Sequence, residues 1–212
     1  MLLLRRLAMP RFSLLSAENV LILGSASPRR TELLTHAGVP HEVVVPSVDE
    51  SVRPGESAGG YLVRVVRSKL DAVRLAVPAA LGARAAVLLC ADTSVIVDDE
   101  ILGKPETAAE GRAMLLRLRG RAHDVRTAFA IGDLAGVLLH EETVNTKVVF
   151  RELGDRELND YVAHGEGRDK AGGYAVQGAA GCFVARIEGS PTNVVGLPTC
   201  EVVVALQRLG LR

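Results

Sequence analysis

Groups that could bind phosphate gather near the start of the chain, where an apolar run passes into a predicted helix. Ser25 and Ser27 lie in the turn, and Arg29 and Arg30 follow directly after Pro28. Free amides at a helix start bind anions together with hydroxyl groups, and guanidinium groups pair with phosphate oxygens. The stretch therefore indicates a phosphate site, although a strand–helix junction with two solvated arginines explains the same residues.

Carboxylates that could bind a metal or accept a proton lie at two places. Asp49 and Glu50 occupy an acidic loop after a short predicted strand, and Asp92 lies within the apolar run Ala85–Val97. An acidic loop is usually just solvated, but oxygen ligands of this kind also suit Mg²⁺. Burying Asp92 costs free energy unless the carboxylate is paired, hydrogen-bonded or metal-bound. We therefore favour a functional role for Asp92 over that of a polar residue at a bulge or a strand end.

Three lysines and a glutamine complete the set. Lys69 lies in an amphipathic helix predicted over Ser57–Leu75, and Lys104 lies in an extended loop before a proline. Lys170 and Gln177 lie in a glycine-rich stretch that could contact a base or a ribose. Any one of these could be an ordinary surface side chain. Together, phosphate donors around a few carboxylates are the mixture that a metal-assisted attack on a phosphate needs.

Other site types are disfavoured by the sequence. No G-x-x-x-x-G-K-[ST] loop is present, and no G-x-G-x-x-G follows the first predicted strand, which argues against P-loop and dinucleotide-binding folds. Cys90, Cys182 and Cys200 are widely spaced, have no base beside them in sequence, and are expected to be buried free thiols. His123 could be a base, but beside Asp124 at a strand start we expect a local hydrogen-bonding residue.

Length and composition limit the classes of protein and partner. The 212 residues fit one sizeable domain or two joined lobes, and 48% of them are apolar, enough for a core. Net charge is zero and aromatic residues make up 3%, which argues against a nucleic-acid partner and an anionic membrane surface. No stretch is apolar enough to span a bilayer, and the cysteine usage fits a reducing compartment, so we expect a cytoplasmic protein.

We expect an N-terminal extension over residues 1–18 and a single domain over residues 19–212. The basic segment Met1–Ser16 resembles a short transit segment or a weak signal peptide, but its apolar patches are too broken for a signal core. We therefore prefer a poorly ordered extension. Apolar alternation and helical periodicity predict an α/β fold beyond it. The predicted strands are Val20–Leu23, His41–Val45, Ala85–Val97, Arg126–Gly132, Leu138–Phe150 and Phe183–Ile187, with a further short strand inside Ser190–Pro198. The predicted helices are one beginning after Ser27, Ser57–Leu75, Thr107–Arg119, Asp155–His164 and Thr199–Leu209.

Seven segments, in order, resemble the successive motifs of the Maf family of nucleoside triphosphate pyrophosphatases. They are SASPRRTELL, SVDE, VRSKL, ADTSVIVDDEILGKP, RLRGRAHDVRTA, DKAGGYAVQG and NVVGLP, and the resemblance runs from about Val20 to the C-terminus. It implies a long mixed twisted sheet flanked by helices, with two lobes and a central cleft, similar to inosine-triphosphate pyrophosphatases. It also implies hydrolysis of a nucleoside triphosphate to the monophosphate and pyrophosphate with Mg²⁺ or Mn²⁺. Family members are often dimers, so a homodimer is expected.

The resemblance also carries site roles to this chain. Asp92 resembles the general base that acts on the attacking water, and Glu50 with Asp92 resembles the metal-binding carboxylates. The motifs imply four triphosphate ligands, Ser25, Arg29, Lys69 and Lys104. Of these, Lys69 and Lys104 also take a catalytic role.

Base preference is implied by Arg30, Thr93 and Gln177, a trio that resembles the branch acting on dTTP and UTP rather than on 7-methyl-GTP. Arg30 and Thr93 can donate to the two carbonyls of uracil or thymine, and Gln177 can donate and accept. Gly24 stands where the family more often has Ala, and we expect that departure to be harmless. The alternative function is a nucleotide-sensing regulator of septum formation and cell division that acts through a partner.

Overall fold

The computed structural model describes residues 14–212, which form one seven-stranded sheet flanked by helices. The strands are β1 Val20–Gly24, β2 His41–Val43, β3 Ala85–Val97, β4 Glu100–Leu102, β5 Ala122–Gly132, β6 Leu138–Phe150 and β7 Val184–Glu188. The helices are α1 Pro28–His36, α2 Ala58–Ala76, α3 Ala79–Gly82, α4 Ala108–Leu118, α5 Asp155–His164, α6 Pro191–Val195 and α7 Thr199–Arg208. Short 3₁₀ turns cover Ala171–Gly173 and Ala179–Phe183.

The sheet is mixed, as predicted. Its strand order is β2-β1-β3-β5-β6-β7, and β4 also pairs with β3. The β1 strand runs parallel to β2 and β3, whereas every other pairing is antiparallel. The long strands β3, β5 and β6 extend through the whole molecule and connect its two ends.

One side of β3 has a gap in its pairing. β5 pairs along one side of β3, so β1 and β4 both lie on the other side. The β1 pairing ends where Gly24 faces Cys90, and the β4 pairing begins at Val95. Within the described residues, no strand therefore pairs with residues 91–94 on that side. This gap contains Asp92 and Thr93 and lies at the carboxyl end of β1, where open α/β sheets bind ligands.

The apolar core explains two lobes with a cleft between them. Alternate residues of β3 face the same side of the sheet. On one face, Leu89 packs with α1 and α7, whereas Val95 packs with α4 and α5. Thr93 lies between these two clusters. On the opposite face, a third cluster packs α2 against Leu88 and Cys90. The predicted central cleft thus lies at Thr93, between the apolar cluster of Leu89 and the apolar cluster of Val95.

Several element predictions need correction. Ser190–Pro198 contains the helix α6 rather than a short strand, because Ser190 caps it by accepting from the amide of Asn193 at 3.3 Å and Pro191 begins it. Ser27 is at the N-cap of α1, but its side chain makes no capping bond there. The β2 strand ends at Val43, and β5 begins four residues earlier than the predicted Arg126.

Residues 14–18, the end of the predicted extension, are hydrogen-bonded to the domain. The Leu15 amide donates to the Leu211 carbonyl at 3.0 Å, and Arg84 donates to the Ala17 carbonyl at 2.6 Å. The rest of the extension lies outside the described residues. None of the helices within residues 14–212 has the length and apolar character needed to cross a membrane.

Candidate active site

The centre of the site is the ammonium group of Lys69, which lies between two carboxylates. Its Nζ is 2.7 Å from Oδ1 of Asp92 and 2.9 Å from Oε1 of Glu50. Lys69 and Asp92 are each only 7% exposed. Desolvating charges is costly, and a pair so buried is tolerated because each charge has an opposite partner at hydrogen-bond distance. The structure therefore brings together three of the predicted site residues on the α2 face of the sheet.

The loop that carries Glu50 is held by α2. The hydroxyl of Tyr61 donates to the Glu50 carbonyl at 3.0 Å, and Nη2 of Arg64 donates to the Ser51 carbonyl at 2.8 Å. Arg64 is itself fixed by a bidentate pair with Glu56, at 2.6 and 2.8 Å. Burial, together with the charges of Asp92 and Glu50, raises the pKa of Tyr61 to about 12. The Tyr61 hydroxyl therefore stays protonated and remains a donor at neutral pH.

The carboxylates fit a divalent cation that completes its shell with phosphate and water. Among the described residues, no group of three or more His, Cys, Asp or Glu side chains could hold a metal by itself. Within residues 14–212, Oδ2 of Asp92 and Oε2 of Glu50 receive no hydrogen bond, so both oxygens are available. Mg²⁺ is typically bound by one or two carboxylates plus substrate phosphates, so this pair of residues is sufficient.

Arg30 spans the gap beside β3 with four of its five N–H groups. Nε donates to the Gly196 carbonyl at 2.8 Å, and Nη1 donates to the Ala91 carbonyl at 2.8 Å and to Oγ of Ser25 at 3.1 Å. Nη2 donates to Oγ1 of Thr93 at 3.2 Å. Burial lowers the pKa of Arg30, and the charge of Asp92 opposes that shift. Arginine has five donors, so one N–H remains for a ligand.

Behind Arg30 lies a buried polar network that sequence reasoning missed. Oγ1 of Thr93 is 2.9 Å from Oγ1 of Thr127, and Thr127 is bonded in turn to the carbonyl of Asn193. The Asn193 amide donates to the carbonyls of Val125 and Val144 and to Thr146. These bonds tie α6 to β5 and β6, and so fix the Gly196 carbonyl that Arg30 contacts.

Among the described residues, the remaining predicted ligands form no hydrogen bond or ion pair with Asp92. Arg29 is half-buried, and Lys104 and Gln177 are exposed. In the part of the chain that the structure describes, none of these three forms an ion pair. The charge of Arg29 contributes, after the stronger effect of Lys170, to a lowered pKa of Asp169.

The glycine-rich loop is tied to the loop of Lys104. The Gly172 amide donates to the Gly103 carbonyl, next to Lys104, at 3.0 Å. Gly172 has a φ of 70°, which favours glycine, and a Cβ there would lie 2.9 Å from Val95. The close approach of the glycine-rich loop to Val95 of β3 thus depends on this glycine.

His123 is a packed structural residue, as expected. It is 3% exposed, its Nε2 lies 2.8 Å from the Tyr174 hydroxyl, and its ring packs edge-on against Phe150. Burial lowers its pKa to about 4. A neutral, enclosed imidazole of this kind cannot reach a substrate.

Two of the thiols differ from expectation, and Gly24 fits a position that has no room for a Cβ. All three cysteines are free, but only Cys90 is buried, so the prediction of buried thiols is wrong for Cys182 and Cys200. A Cβ on Gly24 would lie 2.3 Å from Sγ of Cys90 and 2.6 Å from Val73. Glycine is therefore not simply tolerated at position 24; the Cys90 side chain requires it.

A groove of about 270 Å³ lies away from this site, at the β3–β4 hairpin. It is lined by Asp98 and Arg121, which form an ion pair at 2.6 Å, and by Lys147. None of the predicted site residues lines it. Side-chain chemistry places the candidate active site at Asp92 instead.

The chain is similar to known proteins over most of its length. Residues 20–209 match the model of the family described as Maf-like protein. This chain belongs to the Maf family.

The Maf match covers all the residues that build the site, and full-length relatives support it. The chain is 44% identical over 197 residues to a dTTP/UTP pyrophosphatase of Geotalea uraniireducens (strain Rf4), covering 93% of this chain and 98% of the relative. It is 46% identical over 196 residues to a dTTP/UTP pyrophosphatase of Myxococcus xanthus (strain DK1622), covering 92% and 94%.

A solved structure, a nucleoside-triphosphatase / dITP/XTP pyrophosphatase from Mycobacterium abscessus, matches at 17% identity with a TM-score of 0.39, covering 61% of this chain and 73% of that one. At this TM-score the two structures are only weakly similar.

Proposed function

We propose that this protein hydrolyses nucleoside triphosphates, dTTP and UTP foremost, to the monophosphate and pyrophosphate. The observation that carries the proposal is the buried Asp92, paired with Lys69 in the sheet gap while one carboxylate oxygen stays free. The names of the relatives, dTTP/UTP pyrophosphatase at 44 to 46% identity, support the choice of substrate.

Asp92 is the proposed general base. Its free Oδ2 accepts a proton from a water molecule as the water oxygen bonds to the α-phosphorus. The bond between the α-phosphorus and the bridging oxygen then breaks, and pyrophosphate leaves. Lys69, paired with Asp92 at 2.7 Å, neutralises charge that develops on the phosphate oxygens. Mg²⁺ or Mn²⁺, held by Glu50 and Asp92, would withdraw charge from the phosphates when bound.

The start of α1 is the proposed phosphate site. Oγ of Ser25 accepts hydrogen bonds from the Ser27 amide at 3.2 Å and from Arg30 at 3.1 Å. Because its lone pairs are used, the Ser25 hydroxyl hydrogen is free to donate to a phosphate oxygen. Arg29 in the first turn of α1 and Lys104 in the loop after β4 supply the charge that a triphosphate requires.

The base site is proposed at Arg30, Thr93 and Gln177. Thr93 accepts from Arg30 and bonds to Thr127 or the Gly196 carbonyl, so its own hydrogen is used within the protein. Thr93 therefore presents an acceptor to the uracil or thymine N–H, whereas the last N–H of Arg30 donates to a carbonyl. This differs from the expectation that Thr93 donates.

The test is pyrophosphate release from a panel of dTTP, UTP, CTP, ITP and 7-methyl-GTP, with Mg²⁺ or Mn²⁺. Fastest turnover of dTTP and UTP is expected. Preference for 7-methyl-GTP or ITP would be consistent with the proposed reaction but would overturn the proposed base site. Absence of pyrophosphate release from every nucleotide in the panel would overturn the proposed reaction.

Three expectations stay predictions. A homodimer and a cytoplasmic location, where nucleoside triphosphates are made and used, are consistent with the proposed function. The alternative role in septum formation would gain support if an Asp92→Asn protein still blocked cell division.

A further inference from the structure

The four residues Ala175–Gly178 form a tight turn with Gln177 at its third position. The Gly178 amide donates to the Ala175 carbonyl at 3.0 Å and closes the turn. Gln177 is exposed, and no other described residue bonds its side chain. The backbone of the turn therefore sets the position from which the Gln177 side chain extends.

Two side chains from one region, α5 and the loop after it, hold the turn at both ends. The Tyr161 hydroxyl accepts from the Ala175 amide at 3.1 Å, and Oε1 of Glu166 accepts from the Ala179 amide at 3.1 Å. The Glu166 carboxylate also packs so closely on Gly178 that a Cβ there would lie 1.6 Å from Oε1. Glu166 thus contacts the turn through both a hydrogen bond and steric contact.

The position of Glu166 is costly in free energy. Its Oε2 is buried and has no hydrogen-bond partner among the described residues. A buried carboxylate oxygen without a hydrogen-bond partner loses hydration that the bond from Ala179 to the other oxygen does not fully replace. Tyr161, by contrast, is packed in the apolar core against Phe183, so its position is stabilised by that packing as well as by its hydrogen bond. The cost at Glu166 therefore calls for a function beyond stability.

We propose that Glu166 is a positioning residue for base recognition, which fixes the turn presenting Gln177 without touching the nucleotide itself. The proposal rests on the proposed function, because Gln177 contacts a base only in that function. Glu166 lies outside the segments whose resemblance suggested the site, and it acts solely through the turn backbone.

The experiment compares kcat/KM for UTP with kcat/KM for CTP. Glu166→Ala is expected to lower this ratio about five- to tenfold, the effect of misplacing one hydrogen bond, through KM for UTP rather than kcat. Glu166→Gln retains an oxygen acceptor for Ala179 and should restore most of the ratio. Glu188→Ala, at the distant strand β7, is the matched control and should change nothing.

A double-mutant cycle tests whether Glu166 acts through Gln177. Gln177→Ala should lower the ratio, and adding Glu166→Ala should then lower it no further. An unchanged ratio in Glu166→Ala, or an equal loss with and without Gln177, would overturn the proposal.

Hydrogen exchange separates this proposal from the proposed function. Glu166→Ala should speed exchange of the amides in residues 174–181 while the melting temperature stays near that of the wild type. If the wild-type enzyme is active and amide exchange is unchanged in Glu166→Ala, the role of Glu166 is overturned while the proposed function is not. A wild-type protein that hydrolyses no nucleotide overturns the proposed function, and with it the recognition role, even if the turn loosens.

Discussion

The ammonium of Lys69 lies 2.7 Å from the carboxylate of Asp92, so the proposed base and its counter-charge come from two different elements, α2 and β3. The same ammonium pairs with Glu50 at 2.9 Å. One buried cation thus fixes the relative positions of the two carboxylates. Catalysis and metal binding in this protein are therefore expected to depend jointly on the packing of α2 against the sheet.

Replacing Asp92 by Asn should remove the proposed base and keep the shape of the side chain. We expect kcat to fall about 10³-fold, within the usual contribution of general acid–base catalysis. Steady-state pyrophosphate release and thermal unfolding would be measured together, with Asp71→Asn, on the exposed side of α2, as control. A protein that loses its fold rather than its turnover would show that Asp92 is structural.

Tyr61→Phe should loosen the loop that carries Glu50. Only the hydroxyl is lost, and with it the hydrogen bond of 3.0 Å to the Glu50 carbonyl. A bond of this kind contributes about 1 kcal/mol, so the Mg²⁺ concentration for half-maximal activity should rise about fivefold. Turnover at saturating Mg²⁺ should stay near the wild-type value. Tyr174→Phe, which loses a hydroxyl bonded to His123, is the matched control, and an equal rise in that variant would contradict the explanation.

Gly24→Ala should destabilise the protein because its Cβ would overlap the side chains of Cys90 and Val73. Overpacking of this kind costs about 1–3 kcal/mol in the free energy of unfolding. Adding Cys90→Ala removes the closest atom, so the double variant should lose less than the two single variants do together. Urea denaturation of the four proteins gives the coupling energy, and simple additivity would show that the two positions do not compete for space.

His123 should make stability depend on pH below neutrality. Its pKa is about 4 in the folded protein and about 6.5 when unfolded, so the unfolded chain binds more protons between these values. Stability should therefore fall as pH decreases from 6.5 to 4, by roughly 3 kcal/mol from this residue. His123→Phe should flatten the slope in that window. Chemical denaturation from pH 4 to 7 measures it, and identical slopes in both proteins would rule out His123 as the source.

The sequence was enough to predict a phosphate site with a functional carboxylate at Asp92. The pairing of Lys69 with that carboxylate was only partly predictable. Asp92 could be singled out because a carboxylate in an apolar strand needs a partner. Lys69 recurs in the same helical stripe as Leu62 and Val73, all of them buried, while Arg67 lies off that stripe and is exposed. That spacing was the available signal for choosing Lys69 as the inward cation.

The network behind Arg30 was beyond sequence reasoning. Thr127 takes an inward position between Val125 and Phe129, so one polar residue in an apolar alternation was a weak signal. Asn193 begins the segment NVVGLP that resembles a family motif, but the two valines after it suggested a strand and no role was assigned to the asparagine. Its contacts to Val125 and Val144 join elements far apart in the chain, and only the packed structure brings them together.

The gap in pairing beside β3 has a consequence for solubility. An unpaired strand edge offers its carbonyls and amides to the strands of other molecules, and natural proteins cover such edges. Here the covering group is a side chain, since Arg30 occupies the Ala91 carbonyl that a neighbouring strand would otherwise bond. Arg30, a residue of the proposed base site, is thus also expected to protect the open cleft from edge-to-edge aggregation.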